Sequence, residues 1–233
     1  MQTNTQPPEK RVAISNAFDV HSIFFTIQGE GPFTGMPAIF IRLAGCNLKC
    51  LRCDTDYTTG RELLSLDSIR TRLRKILPAR YMPLVVITGG EPFRQRITLL
   101  VAMLIDLGYI VQIETNGTLK LPDDLFDGYT PTIVCSPKAT VHESVWKHCK
   151  DVKYVLDIKS QSNADGLPLH ALENRVQVKV SRPPSNWKGT IWLQPADMQE
   201  EERNLANRQA VINTCETFGY RLSLQTHKII GVP

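Results

Sequence analysis

The chain has 233 residues, of which 42% are hydrophobic and 21% charged, and this suits one large domain with a sizeable core. Its net charge of +4, without a dense run of Lys or Arg, is compatible with an anionic small substrate and does not indicate a nucleic-acid groove. No apolar run reaches the ~20 residues that span a bilayer and the first residues lack the apolar core of a signal peptide, so we expect a cytoplasmic protein with reduced cysteines.

The polar first residues, MQTNTQPPEKR, precede the first apolar stretches of the chain. We expect residues 1–17 to form a flexible N-terminal tail, since chain ends are poorly ordered unless contacts hold them. Residues 18–233 show no internal boundary, and we expect them to form a single domain.

Seven short stretches rich in apolar and β-branched residues predict strands. Most end in Gly, Pro, Thr, Ser or Asn, as buried parallel strands do. In chain order the predicted strands are 38–43, 84–88, 110–115, 132–136, 153–158, 190–194 and 221–226.

Three stretches between these strands predict helices, at residues 65–77, 97–107 and about 197–218. Gly108 and Gly219 are placed to end the second and the third. One face of the first consists of Ile69, Leu73, Ile76 and Leu77.

Other connections, such as residues 116–131, are too short or too rich in Pro for a full helix. Strands that alternate with few long helices predict an α/β fold, a partial (βα) barrel of the TIM type with about six core strands. Functional side chains in such barrels collect on the loops after the carboxyl ends of the strands.

Three cysteines, Cys46, Cys50 and Cys53, follow the first predicted strand at such a loop. A structural zinc site would need a fourth ligand, which His21 or His227 could supply without paired spacing. Unreactive core cysteines would not need this spacing. An iron–sulfur cluster is the third interpretation: thiolates hold such clusters, and three of them leave one iron open for a ligand that reacts.

The spacing C-x3-C-x2-C after a first barrel strand resembles the cluster motif of the radical S-adenosylmethionine (SAM) superfamily. In that superfamily the open iron of a [4Fe–4S] cluster binds SAM, whose reductive cleavage yields a 5′-deoxyadenosyl radical. The stretch VITGGEP occupies residues 86–92 and follows Val85. It is similar to the element of that superfamily that contacts SAM after the second strand. Taken alone, its two glycines are also typical of an ordinary turn.

Further stretches narrow the resemblance to the 7-carboxy-7-deazaguanine synthase family over about residues 20–233. They are FFTIQGEGPFTGMPAIFIRLAGC, CDT, VVITGGEP, IETNGT, SPK, LQP and LQTHK. The resemblance implies a radical SAM carbon–nitrogen lyase that converts 6-carboxy-5,6,7,8-tetrahydropterin to 7-carboxy-7-deazaguanine, in the biosynthesis of queuosine and other 7-deazapurines. It also implies Mg²⁺, an external electron donor such as flavodoxin, and a homodimer.

The resemblance carries two sets of site residues besides the cluster cysteines. The residues expected to bind SAM are Arg52, Asp54, Gly90, Glu91, Glu114, Ser136, Lys138 and Gln194. Those expected to bind the pterin are Ile27, Gln28, Gly29, Glu30, Arg42, Thr88, His227 and Pro233.

Several of these residues have simpler alternatives. Arg42, a candidate fork for the substrate carboxylate, could form a structural ion pair. Gln28 and Glu30 could belong to a solvated turn, and His227 could be a structural histidine. The resemblance implies that Thr55 contacts Mg²⁺, although Asp-Thr pairs also cap turns.

Two rival functions share part of this pattern. A glycyl-radical activase of the same superfamily would have the cysteine and GGE elements but not the Gln-Gly-Glu-Gly stretch. A zinc-binding module without catalysis would need only the thiols. The other three cysteines, Cys135, Cys149 and Cys215, are expected to pack as small apolar residues.

Overall fold

The computed structural model describes residues 4–12, 16–77, 83–171 and 178–233. Three short 3₁₀ turns, at Gly31–Phe33, Pro92–Arg94 and Ile158–Ser160, lie between longer elements. The strands and helices are β1 (Ala17–Ile27), β2 (Pro37–Leu43), β3 (Glu62–Ser65), α1 (Leu66–Ile76), β4 (Leu84–Gly89), α2 (Thr98–Asp106), β5 (Ile110–Thr115), β6 (Thr132–Cys135), α3 (Glu143–His148), β7 (Asp151–Leu156), β8 (Thr190–Pro195), α4 (Glu201–Phe218), β9 (Arg221–Leu222) and α5 (Thr226–Ile230).

The strands of the described residues form one sheet in the order β3-β1-β2-β4-β5-β6-β7-β8-β9. From β2 to β9 the neighbouring strands are parallel, whereas β1 pairs antiparallel with β2 and β3. Because each parallel strand adds on the same side as the last, the sheet follows the course of a TIM-type barrel. The barrel stays open between β3 and β9, which confirms the predicted partial barrel.

The larger of two apolar clusters among the described residues lies between the sheet and its helices. Ile39, Ile41 and Leu43 alternate along β2 and are fully buried, so they form the face of the strand that packs into this core. Helix α1 buries Ile69 and Leu73 against this core, and the side chain of Ser65 caps it by accepting a hydrogen bond from the Ser68 N–H at 3.2 Å.

Four elements were absent from the sequence prediction: β1, β3, α3 and α5. The predicted last strand, residues 221–226, is wrong after Leu222, because Thr226 already begins α5. The helix predicted from about residue 197 begins at Glu201. Residues 116–131 contain no helix, as predicted.

The N-terminal residues lie against the domain in the part of the tail that the structure describes. Asn4 is only 8% exposed, and residues 4–12 run beside the loop that carries the three cysteines. Residues 1–3 and 13–15 lie outside the described residues. The flexibility of the tail and the single domain over 18–233 stay predictions.

Candidate functional site

A cavity of about 530 Å³ lies at the carboxyl ends of the parallel strands. Its wall is formed by strand ends, by the loop between β2 and β3 (residues 44–61, the cysteine loop) and by the C-terminal segment. The site residues expected from the sequence that line it are Ile27, Gln28, Glu30, Arg42, Cys50, Arg52, Cys53, Asp54, Thr55, Thr88, Glu114, Ser136, Lys138, Gln194, His227 and Pro233. Cys46, Gly29, Gly90 and Glu91 do not line it.

The three thiols of the cysteine loop lie close together. Cys46 is buried, and the half-buried Cys50 and Cys53 line the cavity. Burial raises the pKa of Cys46 to about 12, and the charges of Cys50 and Cys53 add to this effect. The three thiols are therefore near enough to influence one another electrostatically.

This donor set suits a cluster better than a single ion. No group of three or more His, Cys, Asp or Glu among the described residues, the three thiols included, is arranged to hold one metal ion, whereas in a [4Fe–4S] cluster each thiolate binds an iron of its own. His21 Nδ1 lies 3.0 Å from Ser22 Oγ. Three thiols beside an open cavity fit a [4Fe–4S] cluster with one iron free to bind a ligand.

The glycines after β4 pack against the start of the cysteine loop. A Cβ on Gly90 would lie 2.0 Å from the Gly45 carbonyl oxygen, and one on Gly89 would lie 2.0 Å from that of Leu43. The Gly90 N–H donates to Leu43 at 3.1 Å and the Glu91 N–H to Gly45 at 3.0 Å. The two glycines therefore allow two backbones to meet, and a contact of Gly90 with SAM stays a prediction.

The side chain of Glu91 lies behind the cavity wall and is engaged within the protein. It is fully buried away from the cavity and accepts hydrogen bonds from the Asn116 N–H and Thr115 Oγ1, both at 2.8 Å, and from the Phe93 N–H at 3.1 Å. Burial raises its pKa to about 7. With both carboxylate oxygens engaged, this side chain connects the ends of β4 and β5, and a contact of Glu91 with SAM stays a prediction.

Asparagines join the loop after β5 to the cysteine loop. Asn116 Nδ2 donates to Asn47 Oδ1 at 3.0 Å, and Asn47 Nδ2 donates to Thr118 Oγ1 at 2.8 Å. The polar groups of the IETNGT stretch are thus used largely within the protein. After β6, by contrast, Lys138 Nζ donates to Ser136 Oγ at 3.1 Å, and both side chains line the cavity.

The C-terminal segment folds over the cavity and rests on Gly29. The Gly29 carbonyl accepts hydrogen bonds from the Thr226 N–H at 3.1 Å and from Thr226 Oγ1 at 2.9 Å. A Cβ on Gly29 would lie 2.0 Å from His227 Nδ1, so only glycine leaves room for that ring. Thr26 Oγ1 donates to the Pro233 carbonyl at 2.6 Å. Gly29 therefore supports the cavity wall without lining it.

Arg42 lines the cavity, and one of its side-chain N–H groups makes no hydrogen bond. Its guanidinium lies 5.2 Å from the ring centroid of Phe24, which stacks on Phe40 at 5.4 Å. Arg42 Nε is buried without a hydrogen-bond partner, as is Gln194 Oε1. No ion pair of Arg42 occurs among the described residues, so the structural alternative finds no support there. Unsatisfied buried polar atoms cost free energy, and a ligand would relieve that cost.

Lys153 of β7 was missed by the sequence prediction. Its ammonium group pairs with the Glu30 carboxylate, and the two side chains are only 11% and 13% exposed. Gln225 Nε2 also donates to Glu30 at 2.9 Å. Burial alone would raise the pKa of Glu30, but Lys153 and these hydrogen bonds outweigh burial and lower it. A lysine inside an otherwise apolar strand is the signal that could have indicated this pair.

Glu114 collects side-chain donors at the end of β5. It accepts hydrogen bonds from Gln112 Nε2 at 2.8 Å, Gln28 Nε2 at 3.1 Å and Thr88 Oγ1 at 3.2 Å. Gln28 Oε1 accepts in turn from the Glu30 N–H at 3.1 Å. Together these groups present fixed acceptors and donors along one cavity wall, as the edge of a heterocycle requires.

The predicted Mg²⁺ ligand Thr55 lies at the cavity beside Asp54, whose Oδ1 is 3.5 Å from Thr55 Oγ1. The neighbouring Asp56 does not line the cavity and accepts hydrogen bonds from the N–H groups of Thr58 and Thr59 at 2.9 and 3.1 Å. Asp56 therefore caps a turn.

Other lining residues were not expected from the sequence. Lys228 Nζ lies 3.7 Å from Asp54 Oδ2 and 3.5 Å from Asp197 Oδ2, at the rim. Gln199, two residues before α4, also lines the cavity and has a φ of 55°. A second cavity of about 450 Å³ lies beside α4 and contains none of the expected site residues.

The remaining cysteines lie away from the cavity. Cys135 is fully buried, and Cys149 Sγ donates to the Asp151 carbonyl at 2.9 Å. No described helix combines the length and apolar character that crossing a bilayer requires.

Comparison with known proteins agrees with this arrangement. The model of the Radical SAM superfamily matches residues 40–154. The 7-carboxy-7-deazaguanine synthase of Rickettsia prowazekii is 37% identical over 226 residues, covering 92% of this chain and 88% of that protein. The same-named protein of Rhodospirillum rubrum is 38% identical over 230 residues, covering 91% and 92%. The crystal structure of QueE from Escherichia coli matches with a TM-score of 0.66 at 26% identity, covering 89% and 93%.

Proposed function

Because the chain belongs to the 7-carboxy-7-deazaguanine synthase family of radical SAM enzymes, we propose that it converts 6-carboxy-5,6,7,8-tetrahydropterin to 7-carboxy-7-deazaguanine. The pterin ring contracts and one molecule of ammonia leaves, so the enzyme is a carbon–nitrogen lyase. Its product belongs to the route to queuosine and other 7-deazapurines. The observation that carries the assignment is one cavity with Cys50 and Cys53 on one side and the unpartnered Arg42 on another.

The family works with SAM and a [4Fe–4S] cluster, which Cys46, Cys50 and Cys53 would hold here. When bound, the cluster and SAM supply the 5′-deoxyadenosyl radical that takes a hydrogen atom from the substrate. Gln194 offers SAM an unused acceptor, and Lys138 offers a positive charge. The proposed SAM contacts are Arg52, Asp54, Gly90, Glu91, Glu114, Ser136, Lys138 and Gln194.

The substrate side of the cavity matches the chemistry of a carboxylated pterin. Arg42 can bind the carboxylate in a bidentate manner, while Gln28 and Glu30 face the amide and amino-pyrimidine edge. Stacking of Phe24 against Phe40 fixes the surface on which the guanidinium lies. Ile27, Thr88, His227 and Pro233 complete the proposed pocket.

We place Mg²⁺ at Thr55, where a hydroxyl oxygen and the substrate carboxylate would form part of its shell. Mg²⁺ prefers hard oxygen ligands and keeps several waters, so one protein hydroxyl and the carboxylate of the substrate could share its shell with water. Removal of Mg²⁺ should therefore lower turnover and leave the iron content unchanged.

Two partners complete the proposal. The reaction needs an external one-electron donor, such as flavodoxin. The protein is proposed to form a homodimer, which light scattering would detect as twice the chain mass of 26.3 kDa.

The test is anaerobic reconstitution with iron and sulfide, followed by incubation with SAM, reductant, Mg²⁺ and the carboxypterin. We expect 7-carboxy-7-deazaguanine from the wild type and from Cys215→Ala, whose thiol lies outside the cavity, and none from Cys50→Ala. SAM cleavage without this product would leave the radical chemistry and reject the substrate, as for a glycyl-radical activase. Zinc without a cluster would reject the whole proposal.

A further inference from the structure

Residues 4–12, the N-terminal strap, contact the cysteine loop next to each of its three cysteines. The Glu9 N–H donates to the Cys46 carbonyl at 2.6 Å, and Asn4 Nδ2 donates to the Cys50 carbonyl at 2.9 Å. Gln6 Nε2 donates to the Thr55 carbonyl at 2.9 Å, the group that the Cys53 thiol approaches at 3.6 Å. The strap thus reaches the backbone at or beside every cluster ligand.

The two side chains that make these contacts also hold each other. Asn4 Oδ1 accepts hydrogen bonds from the backbone N–H and the Nε2 of Gln6, at 2.9 and 3.1 Å. Gln6 Oε1 accepts from the Tyr57 N–H at 2.7 Å, and the Asn4 N–H donates to the Leu51 carbonyl at 2.8 Å. These hydrogen bonds hold the side-chain amides of Asn4 and Gln6 in one orientation each. An amide that only touched the surface would not need a fixed orientation.

Arg94 connects the other end of the strap to the domain. Its side chain is 3% exposed, and it donates to the Ala44 carbonyl at 2.9 Å and to the Lys10 carbonyl at 3.2 Å. The Val12 N–H donates back to the Arg94 carbonyl at 2.8 Å. The strap is therefore tied to the protein on both sides of Cys46.

The cysteine loop itself needs such partners. Residues 44–61 contain no helix or strand, so their backbone carbonyls lack the donors that regular structure provides. A loop without those donors samples several conformations, whereas a cluster needs its three ligands in one geometry.

We propose that the N-terminal strap positions the cysteine loop for the cluster, with Asn4 and Gln6 as positioning residues. By orienting the peptide groups beside Cys50 and Cys53, these side chains set the hydrogen bonding around the cluster, and with it the reduction potential and the resistance to oxygen. The inference rests on the proposed function, because it requires that the cluster is bound.

The experiment compares the Asn4→Ala/Gln6→Ala double variant with Thr5→Ala, a control at the exposed position between them. Each full-length protein is reconstituted anaerobically with iron and sulfide. The measurements are iron per chain, the electron paramagnetic resonance spectrum of the reduced cluster, its midpoint potential, the rate at which its visible absorbance fades in air, and thermal unfolding of the cluster-free protein.

We expect the double variant to lose its cluster roughly tenfold faster than Thr5→Ala, because several hydrogen bonds to the loop are removed. Its resonance spectrum and midpoint potential should change as well, which a loss of stability alone would not cause. Asn4→Asp, which keeps the acceptor for Gln6 but loses the donor to Cys50, should fall between the two.

Equal cluster lifetimes, spectra and potentials in the double variant and Thr5→Ala would overturn the proposal. So would a lower unfolding temperature of the cluster-free double variant with no change in the spectrum or the potential, since that result describes a purely structural role. If the double variant does not fold, Asn4→Asp decides by the same spectrum and potential. A wild type that binds no cluster contradicts the proposed function itself.

Discussion

At the scale of single residues, the half-buried Arg42 keeps part of its guanidinium group free for a ligand. Most buried guanidinium groups are neutralised by a carboxylate, whereas Arg42 rests on an aromatic face and leaves Nε unpartnered. The stacked rings hold its plane, so little side-chain entropy remains to be lost when a carboxylate binds.

Replacing Arg42 with lysine tests this role. Lysine keeps the charge but loses the planar fork, so we expect KM for the carboxypterin to rise roughly tenfold, the equivalent of about 1.4 kcal/mol, with little change in iron content. Steady-state kinetics under anaerobic conditions measure the effect. Arg96→Lys, at an exposed ion pair with Asp124, is the control, and a KM for Arg42→Lys equal to that of this control would contradict the assignment.

The ion pair of Lys153 and Glu30 affects how the free energy of unfolding depends on pH, and removing Lys153 should reverse the sign of that dependence. In the wild type the pKa of Glu30 is lowered below 4.5, so its contribution to stability is present above that pH and is lost as the pH falls. In Lys153→Met, burial without the counter-charge raises that pKa, and stability is lost as the pH rises instead. We expect a loss of about 3–5 kcal/mol at pH 7 and opposite slopes near pH 4.5 in denaturant unfolding.

The control for this prediction is the double variant Lys153→Met with Glu30→Gln, which buries no unpaired charge. It should regain much of the lost stability and show neither slope. Parallel pH profiles for the wild type and Lys153→Met would show that the pair does not determine the ionisation of Glu30.

At the scale of elements, the cavity is completed by a short helix that rests on a turn near the start of the domain. Helix α5 has only five residues and gains little from its own hydrogen bonds. Its position depends on the two hydrogen bonds from Thr226 to Gly29 and on the close contact between Gly29 and His227. The backbone at Gly29 therefore determines where His227 points.

Gly29→Ala should displace α5, because the new Cβ would overlap the His227 ring. We expect a higher KM for the carboxypterin by about tenfold or more, with wild-type iron content, since the atoms that the new Cβ would meet belong to His227 and to none of the three cysteines. Gly128→Ala controls for the loss of a glycine: its added Cβ meets no heavy atom within 4 Å, although its φ of 79° adds strain. Equal kinetics in both variants would show that α5 tolerates the displacement.

At the scale of the whole molecule, the cavity joins parts of the chain that are distant in sequence. Thr26 of β1 donates to Pro233, and Gly31 N–H donates to Ser223 Oγ at 3.2 Å. The open barrel brings strand ends from β2 to β8 to the same edge, so ligands bound there contact segments from both ends of the chain.

Ligand binding should therefore stabilise the entire domain. For the cluster-loaded protein we expect SAM and the carboxypterin to raise the unfolding temperature in separate steps. Each ligand should add about 2.7 kcal/mol to the free energy of unfolding at a hundredfold excess over its Kd. Arg42→Lys should reduce the pterin step and retain the SAM step, as measured by anaerobic thermal unfolding. Loss of both steps in that variant would mean that Arg42 supports the fold and not the substrate.

The sequence predicted the parts of the molecule that depend on local pattern. The apolar runs located β2, β4, β5, β6 and β8 to within one residue and β7 to within two, because buried parallel strands carry a continuous apolar signal. Strand β1 was missed, since AFDVHSIFFTI mixes polar and apolar positions, and α5 was missed because a strand-like sequence continues into it.

What the sequence determined by itself was the fold class, the family and the three cysteines, because periodicity and spacing are written along the chain. Only the tertiary structure decided that the backbone of Gly90 and Glu91 packs against the start of the cysteine loop. The same holds for the ion pair between Lys153 and Glu30, which are 123 residues apart in sequence, and for the contact of residues 4–12 with that loop. Those contacts follow from burial and from the course of the sheet, which bring together groups that no local pattern relates.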